Sequence, residues 1–138
     1  MDIARFVHEE LSRRCIRAVE LIPEQWRENK RIYPTLLMWP ADSVRATDGS
    51  DFSGVVFTDL PEDSGQRRVA VIRAAKRCDA YGLLLTEQID GFVRLVFETE
   101  HGTRTWRFPI KPHGNIQILG RPAFRDNAES IGIRWHAN

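Results

Sequence analysis

A chain of 138 residues, 42% apolar and 28% charged, is long enough for one continuous core, too short for two of ordinary size, and unlike a disordered segment in composition. Its formal net charge of +1 excludes a global field that would draw in nucleic acid or an anionic membrane. Two cysteines, Cys15 and Cys78, exclude a disulfide framework, and neither belongs to a Cys-x-x-Cys pair.

The expected unit is therefore a single domain over residues 1–138. The amino end carries Arg5, Glu9, Glu10, Arg13 and Arg14 where a signal peptide would be apolar, and no uncharged run is long enough for a membrane span. These features predict a cytoplasmic protein without a membrane partner.

In chain order, Ile3, Val7, Leu11, Cys15 and Val19 recur every fourth position and predict an amphipathic helix, capped by Asp2 and ended or redirected by Pro23. On that seam Cys15 reads as a small core residue. Ile32 to Trp39 is β-prone, with Pro34 suggesting a sheet edge. Pro40 to Gly54 reads as loop, and Gly54 to Thr58 as a short strand. The acids gather here, six between Asp42 and Asp63 against Arg45 alone, whereas from Ser64 onward twelve Lys or Arg oppose seven Asp or Glu. Proline and acids at Pro61 to Asp63 suit the positive end of a second helix near 62–77, with Val69, Ile72, Ala75 and Lys76 in helical period.

The later half predicts a β-meander. Leu83 to Leu85 are apolar on both faces of a strand over Ala80 to Glu87, and Asp90-Gly91 supplies a two-residue turn. Val93, Leu95 and Phe97, then Trp106, Phe108 and Ile110, alternate with polar residues in two half-buried strands. A turn at His101-Gly102 pairs Phe97 with Trp106, Leu95 with Phe108 and Val93 with Ile110. Lys111 to Asn115 reads as a turn, Ile116 to Ile118 as a strand, Gly120 to Asn127 as loop, and Ile131 to Trp135 as a last strand. The expected fold is α+β, with about five to six mostly antiparallel strands in one sheet and two helices on one face.

Chemistry is thinly marked. No histidine stands three to five residues from another His or a Cys, and His8-Glu9-Glu10 lacks a second histidine, so no metal is expected. Neither a nucleophile elbow nor a phosphate-cradling loop is present, so no cofactor is expected and the question of catalysis stays open. Helical arginines at 13, 14, 17, 67, 68, 73 and 77 read as a solvated face and make nucleic acid an unlikely partner.

One constellation follows from strand register. A two-residue turn at Asp90-Gly91 sets Glu87 opposite Arg94 and Leu85 opposite Val96, with Val96 opposite Arg107 and Glu98 on the same face. A loop from Gln88 to Gly91 would dissolve it. Glu87, Arg94, Glu98 and Arg107, with His113 in its turn between Lys111 and Asn115, form the candidate ligand-binding set; a cross-strand ion-pair ladder is the plainer reading. Leu83, Leu85 and Val96 on that face predict a non-catalytic module that binds another protein or forms a homodimer, and the rival is a small-anion binder or enzyme built on the Glu/Arg cluster.

Overall fold

A computed structural model describes residues 3–41, 54–127, 130–133 and 135. Asp2, residues 42–53, Arg134 and the last three residues lie outside them, so the expected cap at Asp2 and most of the acidic loop have no structural account.

Helix α1 (Ile3–Asn29) runs through Pro23. Proline in a helix interior costs about 3 kcal/mol, but Ile22 and Trp26 on either side of it are 2% and 4% exposed. Burial of each large apolar side chain is worth roughly 1.5–3 kcal/mol, which offsets the lost hydrogen bond. The helix stops where Lys30 takes φ 54° and donates its amide to the Trp26 carbonyl at 2.7 Å.

Among the described residues seven antiparallel strands follow: β1 (Thr35–Pro40), β2 (Val55–Phe57), β3 (Ala80–Ile89), β4 (Phe92–Thr99), β5 (Gly102–His113), β6 (Ile116–Leu119) and β7 (Ala123–Asp126), with α2 (Ser64–Arg77) between β2 and β3. Their order is β2-β1-β3-β4-β5-β6, with β7 also on β5. Strand β1 lies between β2 and β3 instead of at the edge; Pro34 precedes the strand and removes no donor from its ladder. Strand β5 is long enough to hold two short partners, β7 along Arg104 to Arg107 and β6 along Ile110 to His113. Thus the expected loop at 120–127 contains β7, whereas 130–133 and 135 form no strand.

The Asp90-Gly91 turn is as expected, with Ile89 opposite Phe92. The next turn falls on Glu100-His101 instead of His101-Gly102, and Thr99 pairs with Gly102. Gly102, at φ 137°, opens the returning strand, and the Thr99 hydroxyl oxygen accepts the His101 amide at 3.1 Å. Moving the turn by one residue shifts partners by two, so Leu95 meets Trp106 and Val93 meets Phe108 while every side chain keeps its face.

The α+β class, the antiparallel sheet and the pair of helices are as expected; the placement of the helices differs. Successive strand residues point to opposite faces. Leu84, Leu95 and Phe97 join the core of α1 residues Val7, Leu11, Cys15 and Trp26, whereas Leu83, Leu85 and Val96 join Val71 and Ala75 of α2. The helices therefore cover opposite faces, and Leu83, Leu85 and Val96, at 0–3% exposure, have their cover within the chain.

Candidate functional site

Asp63 caps α2 by accepting the Gln66 amide at 2.9 Å, which sets the helix rotation so that Arg67, Val71 and Ala75 face the sheet. Val69, expected in the buried period, is exposed instead. Arg67 is consequently buried, and its Nε donates to Glu87 Oε1 at 2.9 Å while Nη1 donates to the Pro61 and Glu62 carbonyls, each at 3.1 Å. From the cross-strand side, Arg94 donates to Glu87 Oε2 through Nε at 3.2 Å and Nη2 at 2.7 Å. Both oxygens of the buried Glu87 are thus held by guanidinium groups. Such a network specifies geometry, but desolvation of its charges cancels much of the attraction.

Beside this network lies a cavity of about 500 Å³, lined by Ser64, Gly65 and Arg68 of α2, by Leu85, Glu87, Ile89, Arg94 and Val96 of the sheet, and by Ser130 and Ile131. Arg68 spans it, donating through Nε to the Ile131 carbonyl at 2.7 Å and through Nη2 to that of Ser130 at 2.9 Å. The Ser130 hydroxyl donates to Glu98 Oε1 at 2.6 Å. Glu98 is 2% exposed, and its Oε2, like Thr105 Oγ1, has no hydrogen-bond partner among the described residues. Burial pushes the Glu98 pKa up, opposed by Ser130, the Ile131 backbone, Arg68 and Trp135.

Of the residues expected together, Glu87 and Arg94 are opposed as the Asp90-Gly91 turn requires, and both line the cavity. Glu98 shares their face but is sealed behind Ser130. Arg107 sits opposite Arg94 instead of Val96, because of the shifted turn, and its guanidinium lies 4.7 Å over the Phe92 ring. His113 is not part of this group: it ends β5 and is exposed, with the turn itself at Gly114-Asn115. Arg67 and Arg68 are the residues that sequence reasoning missed. Arg67 stands four residues before Val71 and eight before Ala75, a spacing that marks it as inward-facing, but an arginine in such a run reads first as solvated.

The helical arginines are otherwise largely engaged. Arg13 pairs with Glu10 at 2.6 Å and Arg17 with Glu20 at 3.7 Å. His8 is 5% exposed; its Nδ1 bonds the Thr99 hydroxyl, and its ring lies tilted against Phe97 with centroids 5.1 Å apart. It also lines a polar cleft of about 270 Å³ with His101, Arg104 and Asp126. Burial, with Arg104 next, lowers its pKa.

Among the described residues no cluster of three or more His, Cys, Asp or Glu is arranged to hold a metal ion, and no helix is long and apolar enough to cross a membrane. Comparison with family models, with curated proteins and with solved structures finds no match to this chain.

Proposed function

We propose that the domain is a non-catalytic binding module whose ligand is a small organic anion with an apolar body, seated in the cavity beside α2. The observation that carries this reading is Arg68. It is a guanidinium on a cavity wall whose hydrogen bonds among the described residues go to neutral main-chain carbonyls, with Leu85, Ile89, Val96 and Ile131 in the same lining. A carboxylate near Arg68 gains a charge-assisted bond, while an aliphatic tail covers the apolar wall. The cavity also lies within the ordinary size range of small-molecule sites. The unlinked thiols of Cys15 and Cys78 support a reducing, cytoplasmic setting.

The homodimer expected from the sequence loses its motive on this face, because α2 already covers the apolar residues that were to be buried by a second copy. Calorimetric titration with short branched and linear aliphatic carboxylates, each beside its neutral amide, tests the reading. The carboxylates should bind, the amides should not, and Arg68→Met should abolish binding while leaving the thermal midpoint near that of the parent. Equal binding of acid and amide, or binding that survives Arg68→Met, would defeat it.

A further inference from the structure

The sheet ends in β6 and β7, two four-residue strands that pair only with β5 among the described residues. Their edges carry backbone donors and acceptors; on β6 the Gln117 carbonyl already accepts from the Trp26 indole at 3.3 Å, and the remaining groups form the kind of edge on which another chain can add a strand. Lys111, Arg121 and Arg125 surround this edge, are all exposed, and make no ion pair among the described residues. From Gly102 to Asn127 the sole acid is Asp126, which is held by Arg104 at 3.4 Å. Exposed apolar side chains accompany the cations: by strand register Ile116 at 55% and Ile118 at 38% share the face of Lys111 and Arg125, and Phe124 at 54% lies on the opposite face. Phe124 leans on Trp106 with ring centroids 5.3 Å apart, so it is held in place while one side remains open.

Charges on an edge strand commonly serve to prevent pairing with another copy. Here they also select. Two copies of this edge placed side by side would oppose like charges, which disfavours self-pairing, whereas a strand that alternates acidic and apolar residues meets cations and apolar side chains together. We propose that the β6–β7 edge is a docking site for an extended protein segment of alternating acidic and apolar residues, which adds to the sheet as a further strand. The feature is separate from the cavity: none of Lys111, Arg121, Arg125, Ile116 or Phe124 lines it. A single-stranded nucleic acid shares the charge but not the pattern, because this edge offers one exposed aromatic ring and branched aliphatic residues where stacking surfaces are needed.

The test is fluorescence anisotropy with a labelled twelve-residue peptide alternating Glu and Val, beside the Lys/Val analogue and an oligothymidylate of twelve nucleotides, on the full chain. The Glu/Val peptide should bind and the Lys/Val analogue should not. Reversing two exposed charges in Lys111→Glu/Arg125→Glu should weaken binding by roughly tenfold or more, since each reversal removes an attraction and adds a repulsion. Amide exchange in the β6 and β7 backbone should slow on binding, which a diffuse charge contact would not produce. Arg68→Met, which tests the cavity, should leave the peptide affinity unchanged. The proposal is overturned by absence of peptide binding, by binding indifferent to the charge reversal, by unchanged edge exchange, or by tighter binding of the oligothymidylate than of the peptide.

Discussion

Neighbouring residues along β3 and β4 enter two different environments. Leu84, Val93, Leu95 and Phe97 meet a 27-residue helix and form an apolar core, whereas Leu85, Glu87, Arg94 and Glu98 meet a 14-residue helix, a charged network and a cavity. The difference is one of cover. A long helix can close an apolar face across several strands, while a short one closes part of it, and polar groups occupy the part where water or a ligand can reach them. Function is therefore sought on the α2 side, and the stability of the fold on the α1 side.

The sharpest way to break this contrast is Trp106→Ala. Trp106 is 6% exposed on the α1 side and opposes Leu95. Its removal should cost about 3–5 kcal/mol, read as a shift in the urea midpoint. A midpoint that does not move would place Trp106 outside the core.

On the α2 side, Glu87→Ala should cost a comparable amount, about 3–5 kcal/mol, for a different reason: it leaves the buried Arg67 without its carboxylate. The distinction appears in the double variant. Arg67→Met with Glu87→Leu replaces the charges by apolar volume and should recover most of the loss, because the desolvation cost disappears along with the attraction. No comparable second substitution can rescue Trp106→Ala without refilling its volume. If the Arg67/Glu87 double variant is as unstable as Glu87→Ala, the network is a net source of stability and not chiefly a device of geometry.

These particulars also mark what was legible in the sequence. Strand alternation and the Asp90-Gly91 turn placed Glu87 opposite Arg94 and put Trp106, Phe108 and Phe97 on one face, because period and turn chemistry are local signals. The Glu100-His101 turn was off by one residue, since His101-Gly102 matches the usual glycine pattern and only the strand pairing shows which residue turns. Pro23 misled because a helix end is decided by packing as well as by a missing donor: Trp26 lies buried beyond it, and its indole donates to the Gln117 carbonyl at 3.3 Å. The face taken by α2 was hidden for the same kind of reason. The rotation that buries Arg67 depends on a partner twenty residues away.

The smallest effect distinguishes the faces by proton linkage, since buried His8 on one face and buried Glu98 on the other have shifts of opposite sign. His8, on the α1 side, has its pKa lowered below 6.5, first by burial and then by Arg104, with His101 adding and Glu9 and Asp126 opposing. Its contribution to stability is present above 6.5 and is lost as pH falls through that value toward the lowered folded one. Glu98, on the α2 side, has its pKa raised above 4.5 by burial, so its contribution is present below 4.5 and is lost as pH rises through the raised folded value. Between these ordinary values the two slopes oppose each other. Urea midpoints measured from pH 4.5 to 6.5 should consequently show His8→Gln losing stability relative to the parent as pH rises, and Glu98→Gln gaining it, with the shifts of the exposed carboxylates cancelling in both differences. Glutamine keeps a hydrogen-bonding group for Thr99 or Ser130, so a change in slope reports titration and not a lost contact. Parallel profiles for the parent and both variants would show that neither buried group is coupled to folding, and the contrast between the faces would then rest on packing alone.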